Sequence, residues 1–552
     1  MKTVIVGGVA GGASAAARLR RLDEQAEIVM LERGEFISFA NCGLPYYIGG
    51  RISDREELEL QTPEGFKTRF NVDVRVLSEV VGIDRESKKV IIRNAQTGEE
   101  YSEVYDKLIL APGAKPILPP IEGADHPKVF MMRTIPDAVR IKEVIIREKP
   151  DRAVVIGGGY VGVEMAENLK IAGLDVTIVE AANHVIPHID YDMACIVHNY
   201  IREKGLKLLL SNRLEAIRDA DGKPVLELKR GLLRTDLAIM SVGVKPEAEL
   251  AAAAGLRISN RGAIIVNEAM QTSDENIYAV GDAVEITDFV TGQSGYMPLA
   301  GPANRQGRIV ADDICGLGSK YKGTQGSAVL KFFDMTVAAT GITETVAKAA
   351  NYNYDKVFTC SFSHADYYPG GSEMSVKTIF EKNTGKILGA QIVGFNGVDK
   401  RCDVFAAAIR AGKTAAHLTE LELCYSPPFS SAKDPVNFAG FVIENCLTGK
   451  VKRFHWHDVD ALPRDGSVTL LDVRTPWEYE NGHIEGFTNV EVDSLRENIG
   501  RMDKSKPVYV HCRSGQRSYI ACRILTQHGL DCYNLSGGFR LYDAVKRARQ
   551  SN

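Results

Sequence analysis

Two cysteines sit where a thiol can do chemistry. Cys42 lies in Ser38-Phe39-Ala40-Asn41-Cys42-Gly43-Leu44-Pro45-Tyr46-Tyr47, and Cys512 lies in His511-Cys512-Arg513-Ser514-Gly515-Gln516-Arg517-Ser518. Each loop reads as the entry to a helix, where backbone N–H groups favour the thiolate and lower its pKa. Cys42 has no second cysteine close by. It can therefore hold an oxidised state only with an external sulfur-bearing partner. The polar Ser38 and Asn41 and the flanking Gly43 favour a reactive thiol over a buried structural one. In the second loop the backbone from Cys512 through Arg513, Ser514, Gly515 and Gln516 to Arg517 is short enough to converge on the sulfur, and Arg513 and Arg517 add positive charge. Such a cradle stabilises a thiolate, a persulfide or an oxyanion. The same geometry binds phosphate, so a phosphatase is the rival reading.

The elements around Cys42 come in a recognisable order. A β-branched strand over residues 2–6 runs into Gly7-Gly8-Val9-Ala10-Gly11-Gly12 and an alanine-rich helix over 13–22. Strand, glycine turn and helix together present N–H groups to a pyrophosphate. A second strand, 27–31, ends in Glu32, twenty residues past Gly12, where a carboxylate accepts hydrogen bonds from a ribose. Val9 stands where the usual pattern has its middle glycine. The arrangement repeats with Gly157, Gly159 and Gly162 after a strand at 153–156, a helix carrying Glu164, and a strand at 175–179 ending in Glu180. An acidic residue at that point favours a free ribose 2′-hydroxyl, and hence NADH over NADPH. Two dinucleotide folds in one chain call for one bound flavin and one nicotinamide. Residues 105–114 read as a strand leaving the first of them, and residues 276–283 as a strand delivering Asp282 to a polyol. A helix over 303–314 aims its N-terminus at a reduced flavin. The cofactor-binding set is then Gly7, Gly8, Ala10, Gly11, Glu32, Arg33, Asn41 and Cys42, with Ala111, Gly113, Gly157, Gly159, Tyr160 and Glu164, and finally Glu180, Gly243, Gly281, Asp282 and Ala300. His184 and His188 read as loop residues, and no metal-ligating set is found.

From about residue 321 the pattern changes to strands at 327–332, 356–363 and 375–380 and a helix at 404–411, which suggests an α+β domain. Tyr367, Tyr368 and Tyr425 adjoin prolines and, on sequence alone, read as packing residues. Residues 447–457 read as a linker, followed by a self-contained unit. The fold class is therefore α/β: an FAD-binding Rossmann-like domain (1–113 and 247–320), a NAD-binding one (114–246), an α+β domain (321–446) and a C-terminal α/β domain (458–552). At 552 residues several domains are expected, and a formal net charge of −4 gives no basic field for nucleic acid or a membrane surface. There is no bilayer-length apolar run and no signal-peptide pattern. Ten cysteines without a CxxC argue against a disulfide framework or a zinc site, and for a cytoplasmic location.

On the glycine turns, the Cys42 segment and residues 277–283, the chain to about residue 445 resembles the flavoprotein disulfide reductases, and in particular the coenzyme A-disulfide reductase branch. It is similar to the single-cysteine subgroup rather than the CxxxxC type. Related peroxidases and oxidases carry a histidine in the first glycine turn. Val9-Ala10 stands there instead, which argues against peroxide or oxygen chemistry at Cys42. The resemblance implies that residues 321–446 are a dimerisation domain, in a homodimer in which two tyrosines of the partner subunit reach the active cysteine, and Tyr367 (or Tyr368) and Tyr425 fall in the matching segments. Residues from about 455 onward resemble a single-domain rhodanese, whose loop is one residue shorter than that of related phosphatases and arsenate reductases. The whole resembles the fused coenzyme A-disulfide reductase–rhodanese proteins, also described as NADH-dependent persulfide reductases. That implies FAD, NADH and coenzyme A, a mixed disulfide of Cys42 with coenzyme A, and Cys512 as a persulfide carrier. Tyr367 and Tyr425 would help the leaving thiolate. Coenzyme A phosphates and pantetheine would meet Arg18, Arg20, Arg21, Ser38, Gln61, Lys67 and Arg69. The rhodanese domain favours coenzyme A persulfide or polysulfide as substrate. The alternatives are a coenzyme A-disulfide reductase serving thiol balance, or a flavin-based sulfur sensor.

Overall fold

Lys2–Val6 is a run of Thr, Val and Ile with no polar alternation, as a strand covered on both faces requires. In the structure, a computed structural model that describes residues 1–551, it pairs in parallel with Glu27–Leu31 on one side and Lys107–Leu110 on the other. Ile277–Ala279 and Asp73–Arg75 complete this five-stranded sheet. A second parallel sheet is built around Arg152–Ile156, flanked by Asp175–Val179 and Leu237–Met240. The chain divides into two compact units. The first takes Met1–Ala182 and Ser211–Gly326, and the second takes Asn183–Leu210 and everything from Ser327 onward.

Both glycine turns have the same build. A side chain at Gly162 would strike the Gly157 carbonyl oxygen at 2.0 Å, and one at Gly12 would strike the Gly7 oxygen at 1.9 Å, so strand and helix can close this tightly only with glycine. The middle position is different. Gly159 faces open space, and Val9 has φ −95°, so a side chain is tolerated there. The first helix runs over Ala10–Leu22 and packs against Ala300–Ile314. Both start three residues before the sequence pattern suggests, because glycine and alanine at their first turns give no apolar stripe to read.

In the second unit, Ala328–Phe332, Met335–Gly341, Ile387–Gly394, Glu373–Glu381 and Tyr354–Phe362 form an antiparallel sheet in that order, backed by Val398–Arg410 and Pro435–Leu447. Lys377, in its middle, is completely buried and meets Asp190 at 2.9 Å, Asp192 at 2.9 Å and Glu344 at 2.5 Å. Burial alone would raise Glu344. The Lys377 and Lys356 charges outweigh it and hold the carboxyl at about 2.

The expected linker is not one. The helix Pro435–Leu447 runs into its start, and Lys452–Phe454 then pairs in parallel with Cys532–Leu535 as the edge of the C-terminal sheet. Phe454 is buried in that domain's core, and Arg453 bonds Asp355 at 2.7 Å. The C-terminal domain thus starts near residue 452 and is fastened to the antiparallel sheet. No helix among the described residues is long and apolar enough to cross a membrane.

Candidate active site

Cys42 sits in a single helical turn, Asn41–Gly43, that leads into Leu44–Ile48. Ser38, at φ +43°, ties the loop to the first glycine turn by donating its N–H to the Gly8 carbonyl at 2.8 Å. The thiol opens to solvent on one side, as Cys42 is exposed. Its pKa is raised by the protein packed on the other side and by the Glu164 and Asp282 carboxylates. This reverses the expected lowering. A helix of five residues has little dipole to offer, and two acids face the sulfur. Glu164 is itself pushed up to about 7 by burial, against the pull of a hydrogen bond from the Tyr46 hydroxyl at 3.2 Å and with help from Glu167. Burial also raises Asp282, with Arg133 opposing. The Gly281 N–H before it is held at 2.7 Å by Gln306, a buried side chain that sequence reasoning missed.

The two predicted ribose acids occupy equivalent places. Glu32 accepts from the Gly8 and Gly34 N–H groups at 2.9 Å, and Glu180 accepts from those of Gly158 and Ala182 at 2.6 Å. The helix after each glycine turn has no acid in its own first turn, so the first-turn N–H groups face no acid of their own helix. These features fit one dinucleotide in each turn. Arg33 pairs with Glu247 (2.9–3.0 Å), and Glu247 N–H bonds the Gly113 carbonyl, fixing the exit of the first domain.

The basic residues proposed for coenzyme A divide. Arg21, Lys67 and Arg69 are exposed, whereas Gln61 and Ser38 are half-buried. Arg18 pairs with Asp312 at 2.8 Å. Arg20 does not belong with them. It is buried, and its guanidinium donates to the carbonyls of Asp23, Glu24, Ala26, Phe70 and Asn71, a structural clamp.

Tyr367 and Tyr425 come together, their hydroxyls 3.2 Å apart on exposed loops. Tyr368 turns away and packs edge-to-face on His364. The buried Arg401 joins the two loops, bonding Asp434, Ser430 and the Ser363 carbonyl at 2.9–3.2 Å.

Cys512 follows the strand Val508–His511 and precedes the helix Gln516–Gln527. Its sulfur is buried and receives the Gly515 N–H at 3.1 Å and the Ser518 hydroxyl at 3.3 Å. Ser518 lies just past the loop and was not singled out from sequence as a donor. Gly515 takes φ +103°, which points its N–H inward. The two loop arginines are not free charges. Arg517 pairs with Glu478 through two bonds (2.6 and 2.7 Å), and Arg513 pairs with Glu373 at 2.8 Å. Beneath the loop, buried Asp472 grips Arg474 at 2.6 Å, and burial pushes the neighbouring His511 down to about 4, so it is neutral.

This geometry agrees with the comparisons. Residues 1–307 match the family model for pyridine nucleotide-disulphide oxidoreductases, 327–435 the dimerisation domain of the same family, and 455–544 the rhodanese-like domain. The chain belongs to the pyridine nucleotide-disulphide oxidoreductases. It is an oxidoreductase of that family, of mixed α/β fold, with a dimerisation domain and a C-terminal rhodanese domain. Membership implies FAD and a nicotinamide nucleotide. A coenzyme A disulfide reductase of Staphylococcus haemolyticus is 34% identical over 442 residues, 80% of this chain and 98% of that protein. An NADH oxidase of Methanocaldococcus jannaschii is 38% identical over 440 residues, again 80% and 98%. Among solved structures, reduced Bacillus anthracis CoADR-RHD superposes with a TM-score of 0.97 at 50% identity, covering 99% of this chain and 98% of that one. A NAD-dependent persulfide reductase from A. fulgidus gives 0.93 at 37% identity, covering 98% and 100%.

Proposed function

We propose that this family member is a cytoplasmic, homodimeric, NADH-dependent flavoenzyme that reduces coenzyme A persulfide or polysulfide, and coenzyme A disulfide, at Cys42. The observation that carries this reading is the pairing, in one chain, of a solitary thiol beside the first glycine turn with a second thiol held in a rhodanese loop. The names of the B. anthracis and A. fulgidus structures support it.

Bound at the two turns, a nicotinamide nucleotide and a flavin would supply the electron pair that reduces sulfur at Cys42. The Gly7–Gly8 and Gly157–Gly158 backbone would hold the pyrophosphates, and Glu32 and Glu180 the riboses. Glu180 sits where a 2′-phosphate would be repelled, which favours NADH. The Cys42 thiolate attacks the outer sulfur of coenzyme A persulfide. The Cys42–sulfur bond forms as the sulfur–sulfur bond of the substrate breaks, and coenzyme A leaves as its thiolate. Two electrons then split the Cys42 persulfide into thiolate and hydrosulfide. Before its first reduction the resting enzyme would hold Cys42 as a mixed disulfide with coenzyme A, and two electrons would split it into the Cys42 thiolate and coenzyme A thiolate. Tyr367 and Tyr425, donated from the partner subunit, hydrogen-bond the departing thiolate. Arg18, Arg21, Lys67 and Arg69 would meet the phosphates, with Ser38 and Gln61 along the chain of the substrate. Cys512 carries sulfane sulfur to or from the pantetheine thiol, and Gly515 and Ser518 stabilise its thiolate.

Anaerobic NADH oxidation with coenzyme A persulfide, coenzyme A disulfide, glutathione disulfide and peroxide tests the substrate. Rapid turnover with persulfide is expected. Rapid oxidation by peroxide with no response to persulfide would sink the reading.

A further inference from the structure

Glu373 opens the strand Glu373–Glu381 of the antiparallel sheet, outside the rhodanese domain, yet one of its carboxylate oxygens bonds two rhodanese arginines. One is Arg513, next in sequence to Cys512, at 2.8 Å, and the other is Arg540, from the helix Gly538–Gln550. The contact is built in. The Phe358 N–H bonds the Ser536 hydroxyl at 3.3 Å, and a side chain at Gly537 would lie 3.3 Å from Phe358. In front of these groups lies an open cleft of about 390 Å³ lined by Phe362, Ser372, Glu373, Phe395, Arg513 and Arg540. With Arg517 already closed on Glu478, the mouth of the loop has no uncommitted arginine to greet a small dianion. Two of its remaining walls are the phenyl rings of Phe362 and Phe395, which suit an organic carrier.

We infer that Glu373 is a specificity-determining residue of the sulfurtransferase site. By pairing with both Arg513 and Arg540 it cancels one of their two positive charges and occupies their donors, which disfavours small dianionic sulfur donors such as thiosulfate and reserves Cys512 for sulfane sulfur carried on an organic thiol. This rests on the reading of Cys512 as a sulfur carrier. The step in question is attack of the Cys512 thiolate on the outer sulfur of thiosulfate. It forms a Cys512 persulfide, breaks the sulfur–sulfur bond and releases sulfite with the bonding pair.

The test uses the full-length reduced protein. Thiosulfate is added, and sulfur gain on the Cys512 peptide is followed by mass spectrometry, together with sulfite release. Glu373→Gln should raise the rate about 10-fold at low salt, and the gain should shrink as salt screens it. Arg540→Met should lower the rate instead, because it leaves Glu373 with one cation fewer. Loosened docking between the domains would move both variants the same way, so opposite signs separate charge from structure. Glu373→Asp should keep the wild-type rate. A Glu373→Gln rate equal to or below wild type, or both variants shifting together, would overturn the inference. A Cys512 that gains sulfur from neither thiosulfate nor a coenzyme A persulfide would instead contradict its reading as a carrier.

Discussion

The Tyr367 and Tyr425 hydroxyls meet at 3.2 Å although 58 residues separate them in sequence. The hydrogen bond with Tyr425 is the main influence raising the Tyr367 pKa, as it is when the Tyr367 hydroxyl donates and so favours the protonated phenol. Each phenol replaced by Phe should lower kcat for coenzyme A disulfide by about 10²-fold or more, and the double variant should cost little beyond either single one. Stopped-flow measurement of coenzyme A release reads this directly. Full additivity would mean the two do not act as a unit.

Arg401 ties the two tyrosine loops together, alongside the Ala365 N–H bond to the Ser430 carbonyl at 3.0 Å. It is buried and paired with Asp434 at 3.0 Å. Arg401→Met leaves a buried carboxylate unpaired and should cost about 3–5 kcal/mol of stability. Chemical denaturation of the full chain measures it. A change below about 1 kcal/mol would contradict the role given to Arg401 here.

Glu164 and Cys42 are coupled electrostatically. Burial raises the thiol first, and the Glu164 carboxylate adds to that. Glu164→Gln should therefore lower the Cys42 pKa and speed its alkylation at neutral pH in the reduced protein. In the wild type the effect should set in as Glu164 ionises, near pH 7. Iodoacetamide labelling of Cys42 against pH gives both profiles. An unchanged or raised pKa in the variant rules out the coupling.

The Lys377 cluster predicts an acid-labile junction. Glu344 is held at about 2 in the folded chain against an ordinary 4.5. A carboxyl depressed on folding gives stability that is present above its unfolded value and is lost as pH falls through its folded value. That loss should run from about pH 4.5 to about pH 2 and amount to roughly 3 kcal/mol. Lys377→Met leaves Asp190, Asp192 and Glu344 without their shared cation and should unfold at milder conditions at pH 7. Thermal melts from pH 7 down to about pH 2, with Glu344→Gln as comparison, check the sign: the Gln variant should show a flatter acid limb.

What could be read from the sequence was local. Both glycine turns, Glu32 and Glu180 after their strands, and each cysteine between a turn and a helix are set by residues a few positions apart. The tyrosine pairing came through family resemblance, since nothing near Tyr425 points to Tyr367. Lys377 was illegible because a lysine in a strand pattern reads as solvent-facing until three carboxylates from distant segments close on it. Arg401, Gln306 and Glu373 were hidden for the same reason. The direction of the Cys42 shift is hidden in the sequence because burial, the main cause, and the Glu164 and Asp282 carboxylates come from segments remote in the chain, while the helix that suggests a dipole is only five residues long. Lys452–Phe454 passed for linker because an edge strand of three residues has too little pattern to read.

Anaerobic reduction of coenzyme A persulfide by NADH in wild type and Cys42→Ser tests the central claim most directly. Hydrosulfide release should match NADH consumed in the wild type and vanish in the variant, while Cys512→Ser retains it. Full persulfide activity in Cys42→Ser would contradict the account.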